Sequence, residues 1–176
     1  FNIKSTGDFI VPLLIREKFF FAANNNKIID TNMFYHGKFK DSKLKDCGVA
    51  VLNSTLSYLF LEIYGRHNIP GRFNIYGLEL ENLLIPNFTT YSESSCKKIK
   101  DAFEKLSKRK VEKIFEELGI DWDRSIREQE PSPKKDRQEL DNRIFDELGL
   151  TKQQINEVYW ITCELIKHRL LKEKLH

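Results

Sequence analysis

The chain has 176 residues, of which 40% are hydrophobic and 31% are charged, and its net charge at pH 7 is +3. This composition suffices for one globular domain with a hydrophobic core, or for one domain with a small helical appendage. No apolar run approaches the roughly 18–20 residues of a membrane span, and no basic region precedes an apolar stretch near the N-terminus, so we expect a cytoplasmic protein with no membrane partner.

The N-terminal stretch from Phe9 to Gly37 has the composition of short strands joined by turns. Its runs FIVPLLI, FFFAA and MFYHG are rich in β-branched and aromatic residues, which favour strands. The three asparagines at 24–26 favour a turn between them. Pro12 has no N–H to donate to a neighbouring strand, so we expect its strand to lie at a sheet edge or to contain a bulge.

A long helix is predicted from Asp46 to Tyr64. Apolar side chains recur there at three- and four-residue spacing, at Val49, Leu52, Leu56, Leu59, Phe60 and Ile63. Gly65 supplies a stop. The following GRHNIPGRFNIY returns to loop and strand character, and ELENLLIP predicts a short helix that ends at Pro86.

The second half of the chain is predicted to be helical, with four amphipathic faces. These faces are formed by Ile99, Ala102, Phe103 and Leu106; by Val111, Ile114, Phe115 and Leu118; by Leu140, Ile144, Phe145 and Leu148; and by Ile155, Val158, Tyr159, Thr162, Leu165 and Ile166. Gly119 and Gly149 are predicted as C-terminal caps. Ser132 with Pro133 fits a helix start, and Thr151 opens the last helix.

Residues Arg124 to Gln138 are charged, contain prolines and have few apolar side chains, so we predict a linker or an exposed loop there. The predicted fold class is α+β, with a small N-terminal sheet packed on a long helix and a helical C-terminal region after it. The predicted domains are an α/β domain over residues 1–92 and a helical C-terminal region over residues 93–176, with the linker near residues 124–138.

Catalytic and cofactor-binding motifs are missing from the sequence. It contains no glycine-rich loop for a phosphate or dinucleotide, no H-E-x-x-H zinc motif and no G-x-S-x-G elbow. Cys47, Cys96 and Cys163 are odd in number and widely separated, so we interpret them as ordinary small apolar residues. The four histidines have no Cys or acidic partner at ligand spacing. We therefore expect no enzymatic activity, metal or cofactor in this chain.

Basic residues gather in the N-terminal part, which is compatible with a polyanionic partner. Residues 1–76 carry ten Lys and Arg against six Asp and Glu, whereas residues 77–133 carry ten against twelve. In the Gly65–Tyr76 stretch, Arg66 and Arg72 suit contacts with phosphate or guanine. The predicted DNA-contacting residues are Arg16, Lys18, Asn25, Lys27, His36, Arg66, His67, Asn68, Arg72 and Asn74. The plainer alternatives are a connecting loop with two solvated arginines and an exposed hairpin turn in the asparagine-rich segment.

The segment VAVLNSTLSYLFLEIYGRHNIPGRFNIYGLELENLLIPNF, Val49 to Phe88, resembles the target-recognition region of bacterial and archaeal adenine-specific DNA methyltransferases of type II and type IIG restriction-modification systems. In that family an apolar helix containing Leu-Asn-Ser precedes a Gly-rich turn, a strand and a short helix with a proline exit. The matching residues are Leu52-Asn53-Ser54, Gly65-Arg66, Gly71 and Leu84-Ile85-Pro86. The upstream strands and the helical tail from QELDNRIFDELGL onward are also similar to the family.

This resemblance implies a non-catalytic part that recognises a sequence in double-stranded DNA for a larger methyltransferase. The family's S-adenosylmethionine motif and its Asn/Asp/Ser-Pro-Pro-Tyr/Phe motif do not occur in this chain. We therefore expect both in an N-terminal methyltransferase domain of a parent protein, which would bind S-adenosylmethionine and methylate a flipped adenine. Asn53 and Ser54 are interpreted as scaffolding within a helix that packs on the sheet, while the loops it positions contact DNA.

Two alternatives stay open. A specificity-subunit-like recognition domain of a type I restriction system shares the Leu-Asn-Ser helix and the proline exit, but such subunits continue into a long coiled coil, which is missing here. The C-terminal GLTKQQINEVYWITCELIKHRL also suggests a helix-turn-helix reader or a helical protein-interaction module. Its last helix is long and apolar on one face, which favours packing over reading a major groove.

Overall fold

The computed structural model describes residues 6–27, 33–69 and 72–173, and at residues 66–69, 72, 73 and 173 it describes the backbone alone. The described residues form an α+β fold, as predicted. Their helices are α1 (Lys45–Leu52), α2 (Thr55–Tyr64), α3 (Gly77–Glu81), α4 (Glu93–Leu106), α5 (Ile114–Leu118), α6 (Lys135–Glu147) and α7 (Lys152–Glu173). Their strands are β1 (Phe9–Pro12), β2 (Leu14–Ile15), β3 (Ala22–Ala23), β4 (Phe34–Gly37), β5 (Arg66–Ile69) and β6 (Arg72–Asn74). Short 3-10 helices lie at Ser42–Leu44, Phe88–Thr90 and Ile126–Glu128.

The strands form two antiparallel three-stranded sheets: sheet A has the order β3-β1-β4, and sheet B has the order β2-β6-β5. The two sheets meet at Leu13, between β1 and β2. The Leu13 N–H donates to the Met33 carbonyl beside sheet A, and the Leu13 carbonyl accepts from Ile75 N–H beside sheet B, both at 2.9 Å. The prediction that Pro12 keeps its strand at a sheet edge or a bulge is wrong, because β1 is the central strand of sheet A. Pro12 is tolerated there because β3 pairs only with residues 9 and 10, so no strand needs an N–H from Pro12 on that side.

The prediction of one helix from Asp46 to Tyr64 is wrong, because α1 and α2 are separate helices that meet at an angle of 76°. The chain breaks at Asn53 and Ser54. Ser54 has an extended backbone, with φ −71° and ψ 156°, and its hydroxyl accepts from Ser57 N–H at 3.1 Å. It is therefore an N-cap. Apolar periodicity continues across the break because both helices bury side chains in the core.

Capping chemistry predicted several of the other helix ends. Gly119 and Gly149 follow α5 and α6 in the left-handed conformation, with φ of 61° and 65°, which confirms both as caps. The Thr151 hydroxyl accepts from Gln154 N–H at 3.3 Å, and the Gln154 side chain accepts from Thr151 N–H at 2.9 Å. This reciprocal pair confirms the predicted start of α7.

Two predicted helix ends are wrong. α6 begins at Lys135 instead of Ser132-Pro133, because Ser132 N–H donates to the Leu118 carbonyl at 3.0 Å and holds this stretch against the end of α5. α3 ends at Glu81, well before Pro86. There the Asn82 side-chain amide donates a hydrogen bond to the Leu78 carbonyl at 2.8 Å. This bond competes with the backbone hydrogen bonds that would continue the helix.

The core consists of two hydrophobic clusters. The first includes Val11, Ile15, Phe19, Phe21, Tyr58, Leu61, Ile75, Phe115, Leu118, Phe145, Tyr159 and Ile166. The second contains Cys47, Ala50, Val51, Phe88, Ile99, Ala102, Leu106, Leu140 and Ile144. Both clusters combine side chains from residues 1–92 with side chains from residues 93–176. The division of the chain into those two domains stays a prediction.

The segment Arg124–Gln138, predicted as a linker or exposed loop, is attached to the rest of the molecule at several points. Ile126 is buried in the first cluster. The Arg127 guanidinium forms ion pairs of 2.7 Å with Glu157 and 2.8 Å with Glu164, both on α7. Although many of its side chains are exposed, this segment therefore packs along the last helix.

Within the described ranges, no single helix has both the length and the apolar character needed to cross a membrane. The stretches Ser42–Leu52 and Thr55–Tyr64 reach that apolar length only when they are taken together, across their 76° bend. Apolar side chains of both stretches lie in the two hydrophobic clusters.

Candidate nucleic-acid interface

Six of the ten predicted DNA-contacting residues lie on or next to sheet B. Arg66, His67 and Asn68 belong to β5, Arg72 and Asn74 belong to β6, and Arg16 directly follows β2. At residues 66–68 and 72 the structure describes the backbone alone, so their positions follow from strand register. β6 lies between β2 and β5, and it therefore brings residues from three separate parts of the chain side by side.

The register between β2 and β6 places two arginine positions next to each other. Ile15 pairs with Phe73 in an antiparallel ladder. Continuing this register by one residue brings Arg16 level with Arg72. Because neighbouring strands lie about 4.8 Å apart, all three strands of sheet B fit within a width of roughly 10 Å. The arginine positions on β5 and β6 and the one directly after β2 therefore lie close together at sheet B.

The β5–β6 hairpin contains an irregularity at its polar residues. Arg66 pairs with Asn74 and Ile69 pairs with Arg72, so two residues of β5 face one residue of β6. The two residues at this bulge are His67 and Asn68. A bulge increases the local twist of a ribbon and redirects the side chains that it carries. This geometry distinguishes β5 from a regular edge strand.

The end of β2 is held firmly by two helices. The Arg16 carbonyl accepts from Arg169 Nη2 at 2.6 Å and from the Tyr58 hydroxyl at 3.2 Å. Arg169 is buried and forms an ion pair with buried Glu62, with 2.6 Å between Nε and Oε1. These bonds join β2 to α2 and α7. Sheet B is thus supported at β2 by the hydrophobic core.

The other four predicted residues lie away from sheet B. Asn25 and Lys27 are exposed in the turn after β3, where Lys27 has a left-handed backbone with φ 49°. His36 is exposed on β4, opposite Ile10 of β1. Lys18 is exposed in the segment between β2 and β3. The structure therefore divides the predicted residues between the two sheets, and it does not gather them into one site.

Asn74 takes part in local hydrogen bonding as well as in the strand. It is half-buried, and its Nδ2 donates to the Tyr76 hydroxyl at 3.3 Å. The Tyr76 N–H in turn donates to Glu79 Oε2 at 3.1 Å, at the start of α3. These bonds fix the direction in which the chain leaves sheet B.

A buried polar network, which the sequence did not predict, lies at the break between α1 and α2. Asn53 pairs with the Phe21 backbone in both directions: Oδ1 accepts from its N–H at 2.9 Å, and Nδ2 donates to its carbonyl at 2.8 Å. Arg137 Nη1 donates to the Asn53 carbonyl at 2.5 Å. The Asp141 carboxylate accepts from the N–H of Thr55 at 2.8 Å and from its hydroxyl at 2.6 Å. Burial raises the pKa of this carboxyl. Asn53 thus serves as scaffolding at a helix break, although it was predicted inside a helix.

One sequence signal could have revealed part of this network. Arg137 and Asp141 lie four residues apart on α6, on the same face as the apolar residues Leu140 and Ile144. Charged residues at these positions indicate a buried ionic or hydrogen-bonded site. Because Arg137 lies in the segment predicted as a linker, its burial was not expected.

A cavity of about 630 Å³ lies between the Phe19–Ala23 segment, α1 and α4. The positively charged residues that line it are Lys45, Lys100, Arg109 and Arg137. The negatively charged ones are Asp8, Asp46, Glu104 and Glu117. Four positive charges thus face four negative ones. A polyanion is attracted by an excess of positive charge, which this cavity lacks. It is therefore a poorer candidate for nucleic acid than sheet B.

Among the residues that the structure describes, no three His, Cys, Asp or Glu side chains are grouped so as to hold a metal ion.

Most of the segment from Val49 to Phe88, which carries the resemblance to methyltransferase target-recognition regions, is described, whereas Gly71 lies outside the described residues. Comparisons of the chain with protein-family models, with curated proteins and with solved structures find no match.

Proposed function

We propose that this chain binds double-stranded DNA through sheet B, as the non-catalytic target-recognition part of an adenine-specific DNA methyltransferase. The observation that carries this proposal is the strand register. It puts Arg66 on the hairpin and, when continued one residue past the Ile15–Phe73 pair, brings Arg16 level with Arg72. Two arginine positions on β5 and β6 and a third directly after β2 give this part of sheet B a local excess of positive charge. Such a surface suits phosphate contacts, and arginine also suits bidentate contacts with guanine.

The dimensions of the β5–β6 hairpin support the same proposal. The major groove of B-DNA is about 12 Å wide, and it admits either an α-helix or a two-stranded β-ribbon. β5 is an edge strand of sheet B, paired with β6 on one side. Because β2 pairs with β6 at Phe73 and Asn74, the part of the ribbon that we propose to enter a groove is its turn end, at Ile69 and Arg72.

The basic residues of the C-terminal helix are less suited to contact DNA. Arg169 is 4% exposed and is committed to Glu62 and to the Arg16 carbonyl. The Lys167 ammonium donates to the Trp122 carbonyl at 2.5 Å and lies 5.4 Å from the centre of the Trp122 ring. These contacts favour packing as the role of α7, and they weigh against the helix-turn-helix alternative.

Replacing Arg66 and Arg72 together with alanine is expected to weaken binding to a duplex about tenfold at low salt. Each arginine that neutralises a phosphate releases a counterion, so the slope of log affinity against log salt should become shallower by about two. Fluorescence anisotropy with a labelled duplex, repeated from about 50 to about 200 mM salt, measures both quantities.

The matched control removes two positive charges from a surface away from sheet B. Lys97 and Lys98 are both exposed on α4, and their double alanine variant should change affinity only slightly. Replacing Arg169 is a poor control, because it removes a buried ion pair and destabilises the fold. An equal loss in the α4 variant, or no duplex binding at low salt by the unmodified chain, would contradict the proposal.

Selection from a pool of random duplexes tests the recognition part of the proposal. A target-recognition region should enrich one short motif, and a motif read for adenine methylation must contain adenine. The Arg66 and Arg72 variant should lose this enrichment. A protein-interaction module would enrich nothing, and that result would contradict the assignment to a restriction-modification system.

A further inference from the structure

Packing of α1 against α4 brings together two cysteines that are 49 positions apart in the sequence. Cys47 is 3% exposed and belongs to the second hydrophobic cluster, and half-buried Cys96 packs against that cluster. The Cys96 side chain is one of the neighbours that act on the Cys47 thiol. An independent contact fixes the same helix register: Asp46 and Lys100 form an ion pair of 2.8 Å. Asp46 precedes Cys47, and Lys100 lies one turn after Cys96.

The two thiols differ in their access to solvent. Burial raises the pKa of the Cys47 thiol far above its usual value, and the neighbouring Cys96 thiol adds to this shift. Cys96 is partly exposed, so a small reagent in solution meets it first. The buried hydroxyl of Tyr91 has no hydrogen-bond partner among the described residues, and it adds a polar atom beside this apolar pair.

We propose that Cys47 and Cys96 form a reversible dithiol–disulfide pair that accepts oxidising equivalents from a small disulfide such as glutathione disulfide. The Cys96 thiolate attacks one sulfur of the small disulfide, which releases one small thiol and leaves a mixed disulfide on Cys96. Cys47 then loses its proton to water and attacks the Cys96 sulfur, which expels the second small thiol. One protein disulfide forms, one small disulfide is reduced, and two small thiols leave.

The cross-link would close a loop that contains α2, β5, β6 and α3. Closing a long loop restricts the unfolded chain and stabilises the native state. Oxidation is therefore expected to raise the melting temperature by on the order of 10 °C. Reduction by a small dithiol should reverse this rise.

The experiment treats the full chain with glutathione disulfide at mildly alkaline pH and follows free thiols and disulfide-linked peptides by mass spectrometry. We expect the number of free thiols to fall from three to one, with Cys47 linked to Cys96 and buried Cys163 unchanged. Cys163→Ser should react like the unmodified chain. Cys47→Ser should stop at a glutathionyl group on Cys96, and Cys96→Ser should form neither product.

Peptide mapping of the unmodified chain keeps the test independent of how well the variants fold. A stable glutathionyl group on Cys96 without the Cys47–Cys96 link would overturn the proposal, as would a link to Cys163. Retention of all three thiols in the folded chain would also overturn it, provided that the urea-unfolded chain reacts under the same conditions.

Discussion

Replacing Glu117 with glutamine is expected to lower the free energy of unfolding by about 3 kcal/mol at neutral pH. Glu117 is 2% exposed, and its carboxylate accepts from both terminal nitrogens of Arg109 at 2.7 Å. It also accepts from Arg137 Nε at 3.4 Å and from the Glu112 N–H at 3.0 Å. Glutamine keeps the volume but removes the charge, so buried Arg137 loses its counter-charge. One amide oxygen also cannot replace a carboxylate that accepts from four donors.

The pH dependence of this loss follows from the ionisation of Glu117. Burial alone would raise the pKa of Glu117, but hydrogen bonding by Arg109 and the charge of Arg137 hold it below its ordinary value of 4.5. The unfolded chain therefore binds a proton at higher pH than the folded one. The stability that this carboxylate contributes is complete above about pH 4.5 and disappears as the pH falls through the folded-state pKa. The difference between the two proteins should narrow on acidification.

Urea denaturation followed by circular dichroism, at several pH values from neutral to acidic, measures this difference. The control is Glu116→Gln, because Glu116 is the adjacent residue on α5 and is exposed. The Glu116→Gln variant should lose no more than about 0.5 kcal/mol of unfolding free energy. Equal losses for the two variants, or a Glu117→Gln loss that does not change with pH, would show that the buried ionic network contributes little.

Replacing Asn53 with alanine is expected to cost about 3 kcal/mol of unfolding free energy. The alanine variant leaves the Phe21 N–H and carbonyl without the partners that Asn53 provides at 2.9 and 2.8 Å. It also removes the bond from Asn53 Nδ2 to the Val49 carbonyl at 2.8 Å. Asn53 is 4% exposed, so water does not readily replace the lost partners. Each buried backbone group left unpaired costs about 1–3 kcal/mol.

Asn82 gives a matched control, because it also follows a helix and donates its side-chain amide to the carbonyl four residues before it, at 2.8 Å from Leu78. Asn82 is exposed, so water replaces this bond in the alanine variant. We expect a loss below about 0.5 kcal/mol for Asn82→Ala. Thermal and urea unfolding measure both variants. If the Asn53→Ala variant were as stable as the Asn82→Ala variant, the bonds to Phe21 would not hold the helix break.

The sequence predicted the features that depend on local chemistry. Glycine alone adopts the left-handed conformation without cost, so Gly119 and Gly149 marked helix ends correctly. The reciprocal bonds of Thr151 and Gln154 need only four consecutive residues, so the start of α7 was also predictable. The α+β fold class followed from the change between strand-like and helical composition along the chain.

The break at Asn53 and Ser54 was missed because apolar periodicity does not change there. Ser54 can cap a helix or lie inside one, and the sequence alone does not distinguish the two positions. Partners from distant segments favour the break: Phe21 binds Asn53, and Asp141 binds the first residue of α2. Those contacts exist only in the folded chain.

For the candidate interface, the sequence by itself determined which residue types are present: arginines and polar residues around Gly65–Tyr76, with no catalytic motif. Tertiary structure decided which of them are neighbours. The antiparallel pairing of β2 with β6 brings Arg16, directly after β2, next to the β6 strand that holds Arg72, whereas His36 pairs with Ile10 in sheet A. Helix packing likewise brought Cys47 and Cys96, which were interpreted from the sequence as ordinary small apolar residues, to the same hydrophobic cluster. The physical reason is the same in both cases: local propensities act over a few residues, whereas strand register and helix packing are set by burial of the whole core.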